Sequence, residues 1–159
     1  MDTGFRIVED DLRGDAIQEL LRLHAAGMLA NSPADACHFF DLDALRVPEV
    51  TLWSVWDGVE LAGCGALHEL DPRHGEVKSM RTAPSHLGRG VGRCVLGQIV
   101  AVARQRGYER LSLETGRGDA FAAAIRLYER AGFVPCGPFA GYVDHEFSRF
   151  FTLDLATGG

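Results

Sequence analysis

The chain has 159 residues, enough for one domain, 1–159, around one substantial core. Apolar residues make up 47% of it and charged residues 24%, a globular balance that excludes disordered and fibrous classes. The formal net charge of −6 argues against non-specific nucleic-acid binding, which needs a basic face, and suits a basic small-molecule substrate.

Residues 5–10, FRIVED, read as a first strand. Residues 15–29 carry Ile17, Leu20, Leu21, Leu23 and Met28 at helical spacing, with Asp15 placed to cap the helix. Residues 31–40 are a break and an irregular segment, and DLDALR adds a helical turn. Residues 51–70 are two strands around Asp57-Gly58, a hairpin signal. Residues 75–83 form another strand, ending at Pro84. After a glycine run, Val91, Val95, Ile99 and Val102 lie on one helical face, and Gly107 stops that helix. RLSLET (110–115) is a short strand, 118–133 a helix ended by Gly132, and 133–136 and 148–155 final strands joined by a loop; the last residues, ATGG, are expected to fray. Strands 75–83 and 110–115 flank a crossover helix and so suit parallel pairing, whereas the hairpin demands antiparallel pairing. A mixed sheet with helices on its faces follows.

No stretch approaches the roughly 20 apolar residues of a membrane span, and the N-terminus does not read as a signal peptide. Cys37, Cys64, Cys94 and Cys136 lie far apart with no CxxC pair. The expectation is reduced, mostly buried thiols in a cytoplasmic protein without a metal site.

The glycine run HLGRGVGRC (86–94) follows a strand and opens a helix. Glycine in a helix costs roughly 0.5–1 kcal/mol relative to alanine, so three in one turn need a reason. The first N–H groups of a helix lack partners and carry partial positive charge. Gly88, Gly90 and Gly92 leave them uncovered, and Arg89 and Arg93 add full charge. A phosphate or pyrophosphate site is one reading and a tight turn with incidental arginines the other. A dinucleotide GxGxxG needs glycine at 93 or 95, where the chain has Arg93 and Val95, and the GK[ST] of a nucleotide P-loop is absent.

The run resembles the acyl-CoA signature of the GNAT superfamily of N-acetyltransferases, [QR]xxGx[GA], aligned on Leu87-Gly88-Arg89-Gly90-Val91-Gly92. EVKSMRTAP is similar to the family strand before this loop, and AIRLYERAGF (124–133) to the family's second signature helix. SLETG, CGPFAGY and SRFF resemble a bacterial subgroup, some of whose members carry an indole-acetate acetyltransferase label. The resemblance covers residues 51–155. It implies a mixed sheet of about six to seven strands flanked by about four helices, with a splayed parallel strand pair that binds acyl-CoA. Leu87 departs from the pattern, standing where the family has arginine or glutamine.

The resemblance further implies that Met80, Arg81 and Thr82 offer backbone groups to the pantetheine arm. Residues Leu87 to Arg93, Val91 included, hold the pyrophosphate, and Thr115 faces the same wedge. An N–H near Met80 stabilises the oxyanion. Tyr128 stands at the general-acid position, where it protonates the leaving thiolate; the plainer alternative is a half-buried aromatic packing beside Leu127. Glu76, eleven residues before Leu87, occupies a general-base spacing, directly or through water, or is a solvated strand-end carboxylate. On an alternating strand it shares a side with Lys78, Met80 and Thr82. His74 and His86 are the histidines nearest in sequence and read as surface or structural groups. His38, Phe39 and Phe40, and Phe139, Tyr142 and His145, are candidate acceptor contacts; the aromatics equally suit a minor core or a homodimer contact. The leading expectation is acetyl transfer from acetyl-CoA to a primary amine. The competing one is a non-catalytic acyl-CoA-binding module of the same fold.

Overall fold

The computed structural model describes residues 4–31 and 42–156. Within them the order is β1 (Arg6–Asp10), α1 (Asp15–Asn31), α2 (Leu42–Leu45), β2 (Val50–Asp57), β3 (Glu60–Asp71), β4 (His74–Thr82), α3 (Val91–Gln105), β5 (Arg110–Thr115), α4 (Ala122–Arg130), β6 (Val134–Cys136) and β7 (Arg149–Asp154). Seven strands form one sheet in the order β1-β2-β3-β4-β5-β7-β6. β4 and β5 pair in parallel and the other neighbours are antiparallel, as a crossover helix and a hairpin require. The four helices and mixed sheet match the expected architecture. The helix expected over 118–133 is shorter: a 3-10 turn at Asp119–Phe121 leads into α4.

Two clusters hold the layers together. On one face α3 and α4 bury Val91, Val95, Ile99, Ile125 and Tyr128 against Val55, Leu67, Val77, Leu111, Leu113 and Phe151. Val102 sits only half-buried at the rim, where Leu96 and Ala103 complete the buried stripe. On the other face α1 and α2 bring Ile17, Leu20, Leu21 and Leu45 onto Leu52, Cys64 and Ala66. Among the described residues Cys64, Cys94 and Cys136 are free thiols, and Cys37 lies outside them.

The feature that shapes the middle of the sheet is in β4. Cys64 pairs with Arg81 and Ala66 with Lys78, so three steps on β4 oppose two on β3. The extra residue is taken up at Ser79, a non-glycine at φ 56°. Parallel pairing with β5 runs over His74↔Arg110, Gly75↔Leu111 and Glu76↔Ser112 and then stops. Beyond Glu76 the two strands separate into a wedge.

Candidate active site

The bulge decides which way each β4 side chain faces. Glu76 stands opposite His68 of β3 and Ser112 of β5, so the three share the α1 side of the sheet. Had the alternation continued, Met80 and Thr82 would share that side. The extra residue reverses it. Met80 turns to the α3 side, where its Sδ lies 2.7 Å from a Cβ built on Gly65. Arg81, opposite buried Cys64, takes the α1 side instead. The expectation that Glu76, Met80 and Thr82 share a face is therefore corrected: an inserted residue shifts a period-two pattern by one.

At the mouth of the wedge the chain passes a 3-10 turn, Pro84–His86, before α3 begins. Gly88 and Gly90 have φ of 75° and 84°, left-handed conformations that explain glycine at both positions. A Cβ on either would meet nothing within 4 Å, so their faces are open. Gly92 is different: its hydrogen stands where a Cβ would come 3.0 Å from Leu127 of α4, so it serves helix packing as well. The first intrahelical bond of α3 is Cys94 N–H to Gly90 O, which leaves the N–H groups of Val91, Gly92 and Arg93 as first-turn donors. Arg93 is exposed beside them. Arg89 is partly committed elsewhere, with its Nη1 3.4 Å from Asp57 Oδ2 and its guanidinium over the Phe5 ring. Asp57 Oδ2 also meets His86 Nε2 at 3.0 Å, and that bond, with Arg89 nearby, keeps the Asp57 carboxyl below its ordinary value. His86 is thus a buried clamp between the β2–β3 turn and the glycine loop. Leu87 is 67% exposed and offers no polar group.

Glu76 is not a solvated strand end. It is 3% exposed, its Oε1 lies 3.3 Å from His68 Nδ1, and its Oε2 accepts from the Tyr142 hydroxyl at 2.5 Å. Burial and then the Glu76 charge raise the Tyr142 phenol far above 10, which keeps it a donor. Tyr142 packs edge-on against Phe139, and both pack on Phe150, so the β6–β7 loop lies over the Glu76 side of the sheet. The neighbours His68 and Phe150 were not singled out from the sequence. His68 stands across a hairpin from Glu76, and the register of that hairpin would have exposed the pairing. His145 hydrogen-bonds through Nδ1 to Phe147 N–H and shapes the loop. His38, Phe39 and Phe40 lie outside the described residues.

On the opposite side of the sheet Tyr128 of α4 is 6% exposed and packs edge-on against Phe133. Burial pushes its phenol well above 10. Thr115 closes β5 at the far edge of the splay, opposite Arg149. A separate depression of about 390 Å³ lined by Asp71, Arg73, His74, Glu109, Arg110 and Asp154 sits at the closed end of the β4–β5 pair. It is at the wrong end of the strands to belong to this site. Among the described residues no cluster of His, Cys, Asp and Glu could hold a metal ion, and no helix is long and apolar enough to cross a membrane.

The sequence and the fold recur in known proteins. The family model "Acetyltransferase (GNAT) family" matches residues 15–133. The chain is 52% identical over 146 residues to the uncharacterized N-acetyltransferase YsnE of Bacillus subtilis (strain 168), covering 92% of this chain and 97% of that one. It is 50% identical to the uncharacterized N-acetyltransferase YedL of Escherichia coli (strain K12), covering 95% of each. It is 35% identical to the IAA acetyltransferase of Azospirillum brasilense, over 77% of this chain and 80% of that one. The fold is shared with a GNAT family acetyltransferase from Elizabethkingia anophelis solved with acetyl-CoA bound, at TM-score 0.69 and 17% identity over 96% and 99% of the two chains. The chain belongs to the GNAT family of acetyltransferases.

Proposed function

We propose that this protein transfers an acetyl group from acetyl-CoA to a primary amine by direct attack on the thioester. The observation that carries the reading is the wedge: β4 and β5 part after Glu76, and the uncovered first turn of α3 stands at its mouth. The residues present fit the cosubstrate. The N–H groups of Val91, Gly92 and Arg93, with the Arg93 guanidinium, suit a pyrophosphate; the backbone of Met80, Arg81 and Thr82 suits an added strand-like pantetheine arm. When bound, acetyl-CoA supplies an activated acyl group.

The chain's own residues then divide the work. Glu76, facing the α1 side, draws the proton from the amine, whose ammonium form titrates near 10 in water. The β4 backbone at the bulge, where Ser79 and Met80 lie outside the β3 register, offers an N–H to the developing oxyanion. Tyr128 donates its hydroxyl proton to the leaving sulfur from the α4 side. Its raised pKa keeps it protonated, and a thiolate in the same apolar wedge is desolvated too, which raises its proton affinity in step. Cys64 supports direct transfer over an acyl-cysteine route. It is fully buried, its thiol donates to Ser79 O at 3.3 Å, and burial pushes its pKa up to about 12, far from a reactive thiolate.

The test is thiol release from acetyl-CoA across a panel of amines. Release that rises with at least one amine and yields its N-acetyl product supports the enzyme reading. If acetyl-CoA protects the protein from heat while no amine accelerates release, the chain is the acyl-CoA-binding module instead.

A further inference from the structure

Helix α1 carries Gly27 in its body, where alanine would be the better helix former. The reason lies on the facing strand. A Cβ on Gly27 would come 3.1 Å from Arg81 Nη1 and 3.3 Å from Nη2, so the end of the Arg81 side chain lies against the helix where a side chain is missing. The Ser79 bulge put Arg81 there, since without it the residue would face α3. Arg81 Nε is buried and has no hydrogen-bond partner, and no ion pair to Arg81 forms among the described residues. One turn earlier on α1, His24 Nδ1 is also buried without a partner. Burial and then the Arg81 charge hold His24 down to about 4, so it is a neutral imidazole beside a cation. The described acid whose charge reaches the same buried Cys64 is Asp10, and its oxygens already accept from Leu12 N–H and the Ser54 hydroxyl.

A buried guanidinium nitrogen without an acceptor is expensive, and a second orphaned nitrogen on the facing helix calls for the same kind of partner. We propose that Arg81 and His24 form the carboxylate subsite of the acceptor, so that the amine substrate is one that also carries a carboxylate. The proposal rests on the acetyltransferase reading and names its substrate class. A two-oxygen anion can accept from Arg81 Nε–H with one oxygen and from a His24 ring protonated at Nδ1 with the other, without a second full charge. A phosphate would call for more donors than these two side chains supply. The placement also fits. Arg81 and Glu76 are on one strand, roughly 13–16 Å apart along it, and both face α1. Their side chains therefore address opposite ends of one small molecule: Glu76 its ammonium and Arg81 its carboxylate.

The experiment is an NMR titration of the whole chain in the presence of CoA. It follows the Arg81 Nε–H and His24 ring signals while free amino acids, simple carboxylates and the matching amides are added. Carboxylate-bearing compounds are expected to move both signals and the amides neither. R81Q is expected to lose at least tenfold in carboxylate affinity and to raise the KM of amino-acid acceptors at least tenfold more than that of their amides. G27A keeps both side chains and favours the helix, so a similar loss there, with unfolding no easier, excludes misfolding as the cause. Three results overturn the proposal: amides binding as well as carboxylates, no carboxylate moving either signal, or both signals answering to CoA alone. If an uncharged amine still drives thiol release under any of these, only the subsite fails; if no amine does, the acetyltransferase reading fails with it.

Discussion

At the scale of single residues, Tyr128 and His24 show how burial sets chemistry. Both are ionisable groups kept neutral by their surroundings, one as phenol and one as imidazole. Tyr128→Phe removes a proton donor while leaving the ring packed on Phe133. The rate of acetyl transfer should fall by about 10²-fold, within the usual range for an acid–base group, while the Kd for CoA measured by calorimetry stays within about twofold. Unchanged turnover would remove Tyr128 from the mechanism. His24 makes a claim on stability. Its folded pKa of about 4 lies below the unfolded 6.5, so the unfolded chain binds the proton first. Stability is therefore whole above about 6.5, declines as pH falls toward 4, and levels off beneath, an excursion on the order of 3 kcal/mol. H24Q should flatten that slope in urea unfolding between pH 7 and 4.5, and a slope equal to the parent's would contradict the assignment. Residue roles were unequally legible in the sequence. Tyr128 and Glu76 are candidates that signature spacing singles out. It does not show the partners of Glu76, because His68 and Tyr142 lie 8 and 66 residues away and meet it only through pairing and a loop fold-back.

Among elements, the ones set by local chemistry were read nearly to the residue. The hairpin at Asp57-Gly58 has Gly58 at φ 61°, and α3 and α4 are followed by Gly107 and Gly132 at 83° and 101°. These are positions where glycine and the turn agree, so sequence alone suffices. The bulge in β4 escaped because nothing in VKSMR marks Ser79 for a left-handed conformation; it is imposed by β3 on one side and the parting from β5 on the other. That single insertion redistributed Met80, Arg81 and Thr82 between the faces. The glycine loop is the element whose role can be divided by mutation. Gly90 at φ 84° charges any replacement about 1 kcal/mol of backbone strain. Gly90→Ala and Gly90→Val should both lose about that much in chemical unfolding. Only valine's branched side chain also covers the first-turn donors, so its CoA affinity should fall at least about tenfold further than alanine's. Equal affinities in the two variants would mean that the donors do not face the ligand.

Over the whole molecule, the sheet separates two tasks. α3 and α4 on one face carry the uncovered helix start and Tyr128, while α1 and the β6–β7 loop on the other overlie Glu76, Tyr142 and Arg81. The wedge between β4 and β5 lies between the two faces, and in the proposed reaction a thioester held from one side meets there an amine delivered from the other. This arrangement predicts that both substrates occupy the protein together and that no side chain carries the acetyl group. The most direct test is an initial-rate study that varies acetyl-CoA and an accepted amine against each other, with intact-protein mass measured during turnover. Intersecting double-reciprocal lines and an unmodified chain are predicted. Parallel lines with a stoichiometric acetyl adduct would show a covalent relay and contradict direct transfer across the wedge.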